Sequence, residues 1–204
     1  MRWAVLVGGA GSNLRAILAS GFPVSLVVSH RAGVGALAIA QEHGIPHHTL
    51  LPRAFPDRFA YDRALVNLLR AHSIQRIALA GFLRWLTADV IQQYPGAIVN
   101  LHPSLLPLYP GLHAIERAYA DRVLWSGVTV HFVDEGHDTG PVIAQAPVPR
   151  YLSDTLETFA DRIHQAEHRL FPRVLWALDA QEVWLDGGQV CYAKEDDQWM
   201  YGRS

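Results

Sequence analysis

Cysteine occurs once in the 204 residues, as Cys191. A disulfide framework needs pairs, so the chain is expected to rely on its core alone and to live in a reducing cytoplasm. Charge is scarce as well: charged side chains make up 18% of the residues, and the formal net charge is -2. Without clustered Lys and Arg, a nucleic-acid backbone is disfavoured as the main partner. A small anion is not, since one backbone loop can hold a single phosphate without net positive charge. No apolar run has the length that crosses a bilayer. The opening stretch lacks the basic lead and small-residue cleavage site of a secretion signal, so none is expected. Repeats, low-complexity tracts and a recognisable linker are also missing.

What is present is hydrophobic, at 50% of the residues, which suffices for a sizeable core. The length suits a single domain. Apolar runs at Trp3 to Val7, Val24 to Ser29, His47 to Leu50, Ile77 to Ala80 and Ala97 to Val99 read as strands. Helical periodicity fills the intervals, near Ser12 to Ala19, Gly35 to His43, Asp57 to Ala71 and Ala88 to Tyr94. In the third of these, Phe59, Leu65, Leu68 and Leu69 form the apolar face. Such repeated strand–helix–strand units predict an α/β fold with a mostly parallel, twisted, Rossmann-like sheet and helices on both faces. The second half differs. His102 to Pro110 carries three prolines in nine residues and reads as irregular. Val128 to Val133 and Val142 to Val148 suggest an antiparallel pair, a long helix runs from Asp154 to about Ala180, and a small hairpin turns about Asp186-Gly187-Gly188. The long helix places Phe159, Ile163, Ala166, Leu170 and Val174 on one stripe.

Three segments can carry chemistry. Gly8-Gly9-Ala10-Gly11-Ser12-Asn13 joins a strand to a helix. Leu14 stands where a dinucleotide fingerprint has its third glycine, and no Lys-Ser/Thr pair follows as in a Walker loop. The segment reads equally as a cradle for a mononucleotide phosphate or as a tight turn with Ser12 as helix cap. Asn100 and His102 lie two apart in extended chain, hence on one face, where a buried strand meets the proline-rich loop. An amide donor beside an imidazole can polarise a carbonyl and carry a proton. The alternative has Asn100 capping the strand and His102 satisfied by loop backbone. Asp134-Glu135-Gly136-His137-Asp138-Thr139-Gly140 offers a carboxylate that could hold His102 charged, although an exposed acidic loop is the commoner use of such residues. His131 reads as a core histidine.

The eleven histidines do not make a metal site. His164 and His168 share a helix face without a third ligand, and Cys191 is isolated, so no metal is expected. Ser12 and Ser104 lack the flanking glycines of a nucleophile elbow.

Asn100 to His113, NLHPSLLPLYPGLH, resembles the signature loop of the glycinamide ribonucleotide formyltransferases, a folate-dependent family. Asp138-Thr139-Gly140-Pro141-Val142-Ile143 is similar to the same family's second signature. VLVGGAGSNL near the start, Leu79-Ala80-Gly81-Phe82-Leu83-Arg84 and Gln165-Ala166-Glu167-His168 match too, in order and over nearly the whole length. The resemblance implies formyl transfer from 10-formyltetrahydrofolate to the amine of 5-phosphoribosylglycinamide, a step of de novo purine biosynthesis. It implies catalytic roles for Asn100, His102 and Asp138, with Asp138 keeping the histidine protonated. Gly11, Ser12 and Asn13 would hold the acceptor's phosphate, and Glu167 would touch the same substrate. Folate would meet Arg63, Leu83, Arg84, Trp85, Leu86, Asn100 and the loop of Asp134, Glu135, Gly136, His137 and Asp138. The implied layout is a single domain over 1–204, with 1–100 as the phosphate-binding half and 101–204 as the half bearing the catalytic loop and folate site. Partners would be small molecules only, with neither nucleic acid nor membrane, and the protein a monomer or homodimer.

The chain departs from the family at four places. Gly8 and Ala10 replace residues that are often polar, so phosphate affinity would rest on backbone N–H groups. Trp85 is bulkier than the usual aliphatic, and Val128 stands where a small hydroxyl residue is common. Methionyl-tRNA formyltransferases usually carry a further basic domain, and formyltetrahydrofolate deformylases an N-terminal regulatory one, so both fit this length less well. A formyltransferase for another amine, such as an amino sugar nucleotide, and a catalytically silent folate- or nucleotide-binding module are the remaining alternatives.

Overall fold

The computed structural model describes residues 1–193; the tail of the expected domain, 194–204, lies outside the described residues. The chain divides into two compact units, Met1–Asn100 and a second that begins at Leu101.

The first unit is built on parallel strands. β1 (Trp3–Val7) is buried at every position. It pairs with β2 (Val24–Ser29) on one side and β4 (Arg76–Ala80) on the other. β3 (His47–Thr49) adds to β2, and β5 (Ile98–His102) to β4, giving the order β3-β2-β1-β4-β5. A run as apolar as WAVLV has no face to offer water, so it takes the centre, while β3, exposed throughout, takes the edge. Helices α1 (Ser12–Ala19), α2 (Gly35–Glu42), α3 (Arg58–Ala71) and α4 (Ala88–Gln93) alternate with the strands, and Pro52–Ala54 forms one 3-10 turn. Because β2 and β3 lie on one side of β1 while β4 and β5 lie on the other, the winding reverses between β1 and β4. Loops leaving the carboxyl ends of these two strands therefore face the crevice where open α/β sheets bind ligands.

The second unit contains α5 (Ala114–Ala120), then β6 (Trp125–Phe132) and β7 (Val142–Pro149) as an antiparallel pair. α6 (Leu156–Asp179) packs across both strands. Its expected stripe of Phe159, Ile163, Ala166, Leu170 and Val174 is buried throughout. The helix starts at a capping box in which Thr155 and Thr158 exchange side-chain and backbone bonds. β8 (Val183–Asp186) and β9 (Gln189–Tyr192) form the expected hairpin, with Gly187 and Gly188 both at positive φ. Mostly parallel strands alternating with helices, followed by antiparallel pairs, make this a Rossmann-like α/β fold.

Three local expectations change. The inward face of α3 comprises Tyr61, Asp62, Leu65, Val66 and Leu69, whereas Phe59 is 52% exposed and Leu68 half-buried. At 100° per residue, Phe59 and Leu68 flank that face on opposite sides. Asp62 can be buried because its carboxylate accepts the Thr87 N–H at 2.8 Å. Second, β6 begins at Trp125, since Trp125, Ser126 and Gly127 pair with Pro149, Val148 and Pro147. Third, α5 had no periodic signal: it is only seven residues long and buries Ala114, Ile115 and Ala118.

Candidate active site

In the first unit, the chain leaves β1 through Gly8 and enters α1. Gly8 has no room for a side chain: a Cβ would run into the His30 ring and lie 2.8 Å from the Gly81 carbonyl oxygen. The His30 ring is held by Nδ1 on the Val7 carbonyl at 3.2 Å and edge-on to Phe82. Burial depresses its pKa, and Arg84 and Arg31 add to that against the opposing pull of the Val7 carbonyl. Gly11, at φ 89, is the residue that caps α1, with no side-chain cap bond. Ser12 is thus the first helical residue, which corrects its reading as the cap. A left-handed glycine at this point leaves the first N–H groups of α1 without a capping side chain, the arrangement that suits an anion. Gly11 and Asn13 are half-buried and Ser12 is exposed.

The 83–86 segment docks on α3. Arg84 lies over the Tyr61 ring at 4.4 Å, and the Thr87 N–H bond to Asp62 holds its far end. Arg63 follows Tyr61 and Asp62 on α3 but is exposed, whereas those two are buried. Leu83 is 64% and Trp85 38% exposed, while Leu86 is buried. Burial pushes the Tyr61 phenol up to about 12, Asp62 adding to this and Arg84 opposing it. Arg63 borders a cleft of about 330 Å³ with Phe59, Asp62, Val66 and Asp89.

His102 and Asp138 lie in the second unit, and Asn100 is the last residue of the first. Asn100, half-buried, and His102, buried, sit two residues apart on β5, on one face of the strand. His102 Nε2 donates to the Tyr109 carbonyl at 2.8 Å, and Nδ1 stands 3.4 Å from Asp138 Oδ2. Both neighbours are hydrogen-bond acceptors. Asp138 also accepts the Gly111 N–H at 2.8 Å, and its Oδ1 stands 3.6 Å from His131 Nε2. Burial pushes the Asp138 carboxyl up. The His131 bond, the Gly111 N–H and the charges of His102 and His131 together outweigh burial and lower it to about 2. His131 is therefore more than the core histidine expected: 2% exposed, it donates Nδ1 to the Phe132 carbonyl and turns Nε2 to the carboxylate. Its place on the same strand face as Thr129 and Val133 was the available signal.

The rest of the acidic loop supports that arrangement. Asp134 accepts from the Gly136 N–H at 3.0 Å and from Thr139 Oγ1 at 2.9 Å, so it organises the loop. Glu135, Gly136 and His137 stay exposed, whereas Asp138, at φ 53, turns inward. A Cβ on Gly140 would strike the Phe132 carbonyl oxygen, which makes glycine obligatory there. The proline-rich loop is pinned as well: Leu106 N donates to Thr129 Oγ1 at 3.0 Å, which itself donates to the Ser104 carbonyl at 2.7 Å.

Glu167, on α6, is 5% exposed and meets His164 Nδ1 at 3.0 Å, giving that histidine the partner the sequence did not reveal. The Glu167 bond raises the His164 pKa against the opposing effect of burial, with help from the charges of Glu167, Asp161 and Glu116. Among the described residues, no group of three His, Cys, Asp or Glu side chains is placed to hold a metal ion. No helix among them is long and apolar enough to cross a membrane.

A mostly parallel α/β sheet with a glycine-rich loop after its first strand belongs to the Rossmann-like class, and the second unit carries a buried imidazole–carboxylate pair. The formyl transferase family model matches residues 1–175, and the chain belongs to that family. It is 38% identical over 203 residues to the phosphoribosylglycinamide formyltransferase of Escherichia coli, covering 93% of this chain and 96% of that one. The crystal structure of glycinamide ribonucleotide transformylase 1 from Symbiobacterium toebii superposes with a TM-score of 0.90 at 37% identity, over 94% of this chain and 93% of the other. The trifunctional purine biosynthetic protein adenosine-3 of Drosophila melanogaster is 45% identical over 182 residues, 85% of this chain. The chain spans only 14% of that larger protein's length.

Proposed function

We propose that this enzyme transfers the formyl group of 10-formyltetrahydrofolate to the amine of 5-phosphoribosylglycinamide, a step of de novo purine biosynthesis carried out in the cytoplasm. The observation that carries the reading is the His102–Asp138 pair, 3.4 Å apart, formed by two motifs that lie far apart in the sequence.

The acceptor's neutral amine attacks the formyl carbon. A C–N bond forms, the formyl oxygen takes up negative charge, and collapse of the adduct breaks the bond to the folate nitrogen. The proton lost by the amine ends on that nitrogen. Asn100 donates its amide N–H to the developing oxyanion, and His102 places positive charge beside it. Asp138, ionised at neutral pH because its carboxyl is lowered to about 2, balances the imidazolium and holds a water that relays the proton. Gly11, Ser12 and Asn13 receive the acceptor's phosphate, and Glu167 contacts the same substrate. Arg63, Leu83 to Leu86 and the Asp134–Asp138 loop hold the folate.

The test supplies both substrates and follows folate product by absorbance. Turnover with 5-phosphoribosylglycinamide, and none with amino sugar nucleotides, is the expected result. Turnover only with the sugar nucleotide would reassign the acceptor. Tight binding without turnover would overturn the catalytic reading.

A further inference from the structure

Two successive peptide units between β5 and α5 touch the catalytic pair, and one side chain of α5 touches them in turn. The Tyr109 carbonyl accepts from His102 Nε2 at 2.8 Å. The next peptide unit, Pro110–Gly111, supplies the N–H that donates to Asp138 Oδ2 at 2.8 Å. The carbonyl of that same unit accepts from Arg117 Nη1 at 2.7 Å. A guanidinium, one peptide group and a carboxylate are thus connected in series. Hydrogen bonds in series polarise one another: a cation on the carbonyl oxygen withdraws electrons from the N–H and makes it a stronger donor.

Arg117 also braces the preceding residue. Its guanidinium lies over the Tyr109 ring at 5.5 Å, and the Tyr109 hydroxyl donates to Asp121, the residue that ends α5, at 2.9 Å. Tyr109 sits at φ 53, in the left-handed region that a bulky side chain avoids unless its surroundings hold it there. The side-chain brace and the carbonyl bond to His102 act on the same residue.

We infer that Arg117 is a positioning residue for the transfer, acting through the Pro110–Gly111 peptide on Asp138 and through Tyr109 on His102. This rests on the reading that His102 and Asp138 carry the reaction. The titratable groups in the arrangement besides Asp138 are His102 from β5, His131 from β6, and Asp121 at the end of α5, with Glu116 of α5 beside His113 at 3.6 Å.

The test compares Arg117→Met, which keeps a long stem without charge, with Arg117→Lys, which keeps a charged donor. For Arg117→Met, kcat should fall about three- to ten-fold, the size of one hydrogen bond's effect. KM for both substrates should stay within about twofold, since neither is touched. The acid limb of the kcat profile should move to higher pH, because a weaker Gly111 donor leaves Asp138 easier to protonate. Arg117→Lys should restore most of the rate. In substrate-free protein the Gly111 amide proton should move upfield in Arg117→Met. That readout needs no turnover, so an inactive wild type would sink the formyl-transfer reading without deciding this one. Wild-type kcat, acid limb and Gly111 shift in Arg117→Met would overturn the proposal. So would a rate loss that merely follows a lower melting temperature with the Gly111 shift unmoved. If Arg117→Met does not fold, Tyr109→Phe cuts the link to Asp121 and should move kcat and the acid limb the same way by a smaller amount; no movement refutes the brace.

Discussion

Replacing Asp138 by asparagine keeps the side chain's shape and removes its charge, which separates the two tasks assigned to it. In the folded protein the carboxyl is lowered from 3.8 to about 2. That lowering corresponds to on the order of 2 kcal/mol of folding stability, carried by the ionised form. The folded value is depressed, so this contribution is fully present above pH 3.8 and is lost as pH falls through about 2. Urea unfolding should therefore find wild type on the order of 2 kcal/mol more stable than Asp138→Asn at pH 7. That gap should close as the pH is lowered toward the folded value. Asp154, whose carboxyl the Arg162 bond also holds low, titrates in both proteins and drops out of the difference. Turnover should fall on the order of 10²–10³, the loss of one preorganised charge partner at a reacting centre. The assays are urea melts across pH and folate product formation at saturating substrate. A stability gap that does not depend on pH would refute the charge argument, and near-normal turnover would refute the catalytic one.

Other outcomes follow from the same contacts. His131→Leu removes the neighbour of Asp138 Oδ1, so the acid unfolding midpoint should move to higher pH and stability fall by about 1–3 kcal/mol; an unmoved midpoint in an acid titration followed by circular dichroism would show that His131 only fills space. Gly8→Ala should cost about 1–3 kcal/mol in urea melts, since its Cβ meets both a ring and a backbone oxygen, and unchanged stability would mean that the loop relaxes freely. Glu167→Gln should bring the His164 titration, followed by NMR, back toward 6.5. Because the pair raises that histidine, its stabilisation is present below 6.5 and fades as pH rises through the folded value. A His164 midpoint unaffected by the substitution would contradict the pairing.

The sequence by itself determined the elements whose pattern repeats along the chain. The wholly apolar WAVLV strand, the five-residue stripe of α6 and the Gly187-Gly188 turn were readable because periodicity and backbone freedom are local properties. The motif residues Asn100, His102 and Asp138 were nameable because their neighbours form long matching runs. Tertiary structure alone decided what those residues touch. Asp62 could be buried only because Thr87, 25 positions away, offers its N–H. His131 became a partner of Asp138 because the loop after β6 folds back on its own strand. α5, too short to show a period, matters through Arg117 and Asp121, whose partners lie in the preceding loop. Spacing along a chain states which groups share a face. Which carboxylate meets which imidazole depends on how distant segments close together in space.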